Sequence, residues 1–164
     1  IMNANRKGEH SATLEETIDC TRDRRESEKK RYSQQYGVDI KDLSNYSLIV
    51  DTTVATPTQV ADCITGAFAL WQQDKSYNRV FVSPERLHFP ERELDGDMLS
   101  PLSARLEAGE ELPGITVCEK DGEFYLVDGF EAAMAYVFSF STFIPATLVK
   151  AEPDGEYVRM RNSL

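Results

Sequence analysis

A chain of 164 residues with 41% hydrophobic content has room for one ordinary domain or two small ones, and enough apolar material for a packed core. Its formal charge of −10 falls mostly on residues 78–164, net −8 against −2 for residues 1–77. That half repels a phosphate backbone at long range, which argues against DNA binding by it. No apolar run reaches the roughly 18 residues that span a bilayer. Cys20, Cys63 and Cys118 are scattered, and His10 and His88 are the only histidines. These make no CxxC, no metal-ligand spacing and no histidine-rich metal site. Reduced thiols and a polar start without a signal peptide point to the cytoplasm.

In chain order, residues 1–12 read as loose or as the end of a strand at residues 1–4, and Ile1 ahead of Met2 reads as a fragment start or a residue left by cleavage. Thr13-Leu14-Glu15-Glu16 fits a capping box, and a helix is expected from there to Tyr36, with Gly37 as its stop. Leu14 and Ile18 form a short apolar stripe; beyond them TRDRRESEKKRY is charged on every face. Such a helix is either solvated and held by Glu/Lys/Arg pairs four apart, or a lid whose arginines fold over polyphosphate. Tyr46 to Thr52 reads as a strand. Thr56-Pro57-Thr58-Gln59 then starts a helix, with Val60, Cys63, Ile64, Ala67, Phe68 and Trp71 at helical spacing as a core stripe.

The run from Arg22 to Tyr32, then Tyr36-Gly37-Val38-Asp39-Ile40, Leu43-Ser44-Asn45-Tyr46, Ile49-Val50-Asp51-Thr52 and Thr56-Pro57 resembles the C-terminal part of cytidylate kinase-like proteins over about residues 13–72. The resemblance implies that the charged helix is the lid. It places phosphate-clamping arginines at Arg22, Arg24 and Arg31, with Arg25 as a further candidate, and has the following strand and helix close an α/β core. The planar guanidinium fork suits phosphate oxygens. The chain contains no GxxxxGK[ST], so it cannot cradle β- and γ-phosphates as a P-loop does, nor does it carry a nucleoside-monophosphate pocket.

Gln72 to Asn78 reads as a linker, giving an expected boundary between domains 1–75 and 76–164. The second half opens with a strand at Arg79-Val80-Phe81-Val82. A loop, His88-Phe89-Pro90-Glu91-Arg92-Glu93, leads to Asp97, and a helix on Leu99, Leu102 and Leu106 ends near Gly109. Leu112-Pro113-Gly114 is a turn, Ile115 to Glu119 a strand, Lys120-Asp121-Gly122 a hairpin turn and Phe124 to Val127 its partner. The turn Asp128-Gly129 leads into an Ala-rich helix ending near Phe138. On that helix Ala132, Ala133, Ala135, Val137 and Phe138 are expected on the sheet and Tyr136 at its margin. Ile144 to Val149 is a strand whose Pro145 suits an edge or a strand beginning, and Glu156 to Arg161 adds a last strand. Phe140 and Phe143 fit either a partner patch or edge core positions.

The order β-loop-α-β-β-α-β, with Val82, Pro84 and Leu87 at its opening, Leu112, Pro113, Ile115 and Val117 in LPGITV, and the YLVDG turn, is similar to the ParB/sulfiredoxin-like fold over about residues 79–151. Relatives include partition proteins that bind cytidine triphosphate, sulfiredoxins that use ATP, and a free-serine kinase. The resemblance implies phosphate chemistry at the turn, usually D-G-H-H-R. Here it reads Asp128-Gly129-Phe130-Glu131-Ala132, a degenerate version. Glu131 would repel phosphate unless a divalent cation intervenes. The turn has no cysteine for sulfiredoxin chemistry.

The sequence therefore leads to an α/β (α+β) protein: a lid helix and strand-helix segment, then a small mixed-sheet domain. Candidate phosphate- or nucleotide-binding residues are Arg22, Arg24, Arg31, Asp128 and Gly129, with ATP or CTP and Mg²⁺ as the implied cofactors and a nucleotide or a protein as partner. The expected function is that of a cytidylate kinase-like protein whose second domain is a regulatory, interaction or nucleotide-sensing module. By itself this chain is expected to be inactive. Two alternatives remain: a nucleotide-dependent small-molecule kinase in the second domain, with Glu91 or Asp128 as base or metal ligand, and a DNA-partition factor. Near Glu91, Glu85 and Glu93 compete for the same role.

Overall fold

A computed structural model describes residues 13–159; the strand end expected at residues 1–4, and residues 160 and 161 of the last expected strand, lie outside them. The chain forms two compact units, residues 1–45 and 46–164.

In the first unit, helix α1 (Leu14–Tyr36) has both expected ends. Thr13 Oγ1 accepts from Glu16 N–H at 3.2 Å while the Glu16 carboxylate accepts from Thr13 N–H at 3.3 Å, so two exposed amides are satisfied reciprocally. Gly37 ends the helix in the left-handed region at φ 66°, where a side chain would be strained. No residue of α1 is buried. Beyond it, Asp39 and Asp42 organise a tight turn, accepting from Lys41 N–H at 3.0 Å and Ser44 N–H at 2.9 Å.

The second unit is built on strands β1 (Leu48–Val50), β2 (Arg79–Val82), β3 (Leu87–Pro90), β4 (Thr116–Lys120), β5 (Glu123–Asp128), β6 (Ile144–Leu148) and β7 (Tyr157–Arg159). They form one mixed sheet in the order β1-β2-β6-β4-β5-β3-β7. Helices α2 (Pro57–Gln73), α3 (Gly96–Glu107) and α4 (Phe130–Phe138) connect them, and α3 packs against α4. Alternation in β2 and β3 sends Val80, Val82, Leu87 and Phe89 into the core beside Val117, Leu126 and Ile144, all fully buried. Each such side chain contributes about 1.5–3 kcal/mol. The β4–β5 hairpin turns on Asp121 (φ 55°) and Gly122 (φ 82°), the two positive φ values a two-residue turn matching strand twist requires.

Several expectations change. The parallel pairing of β1 with β2 puts the strand-helix segment 46–73 in the same sheet as the second half. The compact units divide the chain at 45/46, and the Gln72–Asn78 stretch read as a linker falls within the second of them. His88-Phe89-Pro90, expected in a loop, belongs to β3, which pairs parallel with β5 and antiparallel with β7. Four residues including a proline leave too short an alternation to see in sequence. Pro145 does not lie on an edge, because β6 runs between β2 and β4; it is second in the strand, where its missing N–H falls at the start of the ladder. The α4 margin is reversed. Tyr136 is buried with its hydroxyl accepting from Leu112 N–H at 3.0 Å, and Phe138 is exposed. Of the α2 stripe only Ala67 is buried, while Ile64 and Phe68 face solvent.

Candidate functional site

The junction between β5 and α4 is closed by backbone. Gly129 has φ 82°, and a Cβ built there would stand 2.7 Å from the Gly114 carbonyl oxygen and 2.8 Å from Ile115 Cα. Only glycine fits this approach. Asp128 Oδ1 accepts from the adjacent Gly129 N–H at 2.8 Å, and Gly129 itself occupies the cap position without a side-chain bond. Asp128 is therefore spent on the turn and not on the first turn of α4.

The side chains at the junction form a closed set. Glu131 is buried, at 8% exposure, and its carboxylate is in a short ion pair with Arg92 Nη2. The Arg92 guanidinium also sits 4.7 Å from the centre of the Phe130 ring, and that ring meets Phe89 edge-on at 6.5 Å. A buried carboxylate needs such a partner. Arg92 is the residue sequence reasoning missed: the signal was Glu131 itself, an acid inside an apolar helix that had to find a cation. An anion approaching this helix end meets a guanidinium already neutralised.

Glu91 is exposed, and its backbone N–H donates to the Glu156 carbonyl at 3.0 Å, extending the β3–β7 ladder. Among the described residues no hydrogen bond or ion pair joins Glu91 to Asp128. On the same edge, His88 Nε2 accepts from Arg159 Nε at 3.1 Å and stacks on Tyr125 at 4.5 Å. Glu123 there pairs with Arg86 and Arg159. Burial raises the Glu123 carboxyl, but the hydrogen bond from Arg159 and the charges of Arg86 and Arg159 outweigh it and leave it below the usual range.

In the other unit, α1 spreads its arginines. At about 100° per residue, Arg24 and Arg31 lie roughly half a turn of the helix from Arg22. Arg22 lines a groove of about 800 Å³ with Arg25, Lys29 and Lys41, floored by Thr17, Ile18 and Ile40 and edged by Glu26 and Glu28. Arg22 also pairs with Asp19 at 3.3 Å, Arg24 pairs with Glu28 at 3.5 Å, and Arg31 lies over Tyr32 and beside Lys30 and Gln34. Four cations thus stand against three acids, Asp19 included through its pair with Arg22, and two of the cations, Lys29 and Lys41, were not singled out from sequence. The signal for Lys29 was the i, i+3, i+7 spacing of Arg22, Arg25 and Lys29; Lys41, beyond the end of α1, had none.

The cytidylate kinase of Thermoplasma acidophilum is 35% identical over 54 residues, 33% of this chain and 29% of that protein. The cytidylate kinase of Thermoplasma volcanium is 41% identical over 58 residues, 35% of this chain and 29% of that protein. The chain thus spans less than a third of the length of these relatives. Among solved structures, sulfiredoxin from Arabidopsis thaliana aligns over 44% of this chain and 85% of its own, at 23% identity and a TM-score of 0.39. No family model matches the chain. Among the described residues no group of three or more His, Cys, Asp or Glu is placed to hold a metal ion, and no helix is long and apolar enough to cross a membrane.

Proposed function

We propose that the chain is the lid-bearing and sheet-closing part of a cytidylate kinase-like protein, carrying a ParB/sulfiredoxin-like domain as a regulatory or protein-interaction module. The cationic groove on α1 carries this reading. Arg22, Arg25, Lys29 and Lys41 line this groove in a chain of net −10; the Arg22–Asp19 pair is solvent-exposed and nothing on α1 is buried, so a polyphosphate can compete for these cations. The partial similarity to two cytidylate kinases supports the same reading. In the assembled protein these cations would neutralise charge on a phosphoryl group passing from ATP to a nucleoside monophosphate. The residues present do not fit Mg²⁺ or the β/γ-phosphate cradle: the sequence has no P-loop and the described acids form no ligand cluster. No step through either group is assigned to this chain. The second domain is read as non-catalytic because Arg92, the cation at the α4 junction, is committed to Glu131.

Calorimetric titration with ATP and with CTP, each with Mg²⁺, tests this. Weak binding is expected, lost in a variant with Arg22, Arg25 and Lys29 all changed to Ala and retained in Arg92→Ala. No phosphoryl transfer to CMP is expected from this chain by itself. Transfer by the chain alone would overturn the reading. Binding that survives the triple change but fails in Arg92→Ala would move the site to α4 and favour the small-molecule kinase. No heat with either nucleotide would remove the phosphate role and leave an interaction module.

A further inference from the structure

Strands β1 and β2 run parallel, and a cavity of about 270 Å³ lies past their C-terminal ends, bounded also by the start of α2 and the loop from α4 to β6. Crevices outside the carboxyl ends of parallel strands are where α/β sheets bind ligands. The surrounding loops are tied together. Asp51, just past β1, accepts from Thr53 N–H at 3.0 Å and from Ser83 N–H at 3.4 Å. Gln59, in the first turn of α2, accepts from Thr56 N–H at 2.8 Å and donates through Nε2 to Thr142 Oγ1 at 2.6 Å. Val137 is also part of the wall, so the cavity stands at the opposite end of α4 from the Gly129 junction.

Two features of the cavity are not explained by packing. Ser83 lines it and is wholly buried, yet no group among the described residues hydrogen-bonds its hydroxyl. A buried polar atom without a partner is costly, and alanine would occupy the same place without that cost. Phe140, on the rim, is 87% exposed and takes φ 53°. A bulky residue in the left-handed region is an outlier, and a ring this exposed returns little burial energy to offset it. Strain of this kind gathers at ligand sites.

The lining selects the ligand. Glu85 is exposed and is the only charged residue among the described residues around the cavity, so it repels phosphates and carboxylates. The Ser83 hydroxyl can donate and accept, and Thr142, which accepts from Gln59, keeps its proton to donate. Such groups suit a molecule that carries several hydroxyls of its own. The Phe140 ring presents an apolar face at the rim, which suits the C–H face of a sugar ring. The volume lies just below the roughly 300–1,000 Å³ of drug-sized sites, a size for one sugar ring. We infer that the cavity binds a neutral monosaccharide, with one hydroxyl on Ser83 Oγ, another on Thr142 Oγ1 and the ring face on Phe140. The second domain thereby has a small-molecule input of its own, independent of the cationic groove on α1.

The test is a chemical-shift titration of the full chain with D-ribose and with D-glucose, read at the Ser83 and Thr142 amides, together with melting curves of each variant. Saturable shifts are expected with at least one of the two sugars. Ser83→Ala should weaken binding by roughly tenfold and leave the melting temperature unchanged or raised, because the orphaned hydroxyl goes with it. Phe140→Asn, which tolerates the left-handed φ, should also weaken binding without lowering the melting temperature. The phosphate ester of the bound sugar should bind more weakly than the sugar itself, and Glu85→Gln should narrow that gap. No saturable shift with either sugar would overturn the sugar site, as would binding indifferent to both the Ser83 and Phe140 substitutions, or tighter binding of the phosphate ester. A lower melting temperature in Ser83→Ala would make that hydroxyl structural and sink the assignment as well. ATP and CTP titrations of Ser83→Ala should match those of the parent chain; loss of nucleotide binding there would turn the cavity into part of a nucleotide pocket and overturn the sugar site.

Discussion

Helix α1 and the β5–α4 junction are opposite solutions to the same problem. α1 has the side chains for phosphate and little around them: none of its residues is buried, and its cations face a wide groove. The junction has a backbone suited to phosphate, a left-handed glycine leading into a helix, but its side chains are an aromatic ring and an internally paired acid. A phosphate site needs both donors and preorganisation. Each region supplies one of the two.

Substitutions at the junction should act on stability, and substitutions on α1 on binding. The largest effect is expected from Gly129→Ala. The left-handed φ costs about 1–2 kcal/mol for a residue with a Cβ. The clash with the Gly114–Ile115 backbone adds about 1–3 kcal/mol of overpacking, both read by urea unfolding. A change below about 0.5 kcal/mol would mean the junction is loose. Next, Arg92→Ala should destabilise by about 1–3 kcal/mol, because it strands a buried carboxylate. Glu131→Gln should cost less, since Arg92 is half exposed and can turn to water. Equal losses, or the reverse order, would break the account of Glu131 as the dependent partner.

A smaller effect concerns acid stability. The Glu123 carboxyl is lower folded than unfolded. Its contribution is therefore complete above the unfolded value of about 4.3 and is lost as pH falls through the lower folded value. Glu123→Gln should flatten the stability–pH curve in that acid window and leave its shape above it unchanged. The smallest stability effect is expected on α1: with Arg22, Arg25 and Lys29 all changed to Ala, unfolding should shift by no more than about 0.5 kcal/mol per site, while nucleotide binding disappears. A large loss of stability there would make the groove structural and erase the contrast.

Local signals were legible wherever a few neighbouring residues decide the geometry. Both capping boxes, Thr13 with Glu16 and Thr56 with Gln59, close as their spacing requires. The Asp121-Gly122 hairpin and the left-handed Gly129 follow from residue type and pattern. Strand β3 was not legible, because what makes it a strand is pairing with β5 and β7, tens of residues away. The hydrogen bond of Asp128 was not legible for a related reason: a carboxylate beside a helix start can cap it or serve the turn before it, and only the backbone orientation chooses.

By itself, the sequence determined where helices start and stop, that one half is acidic, that a P-loop is missing and that the usual basic side chains of the turn are replaced. Those are properties of local chemistry and composition. Tertiary structure alone decided that β1 joins the second half's sheet, that Arg92 neutralises Glu131, and that Lys41 joins Arg22, Arg25 and Lys29 at one groove. Sheet order, ion-pair choice and the meeting of a helix face with a distant turn depend on three-dimensional proximity, which residue type and spacing leave open.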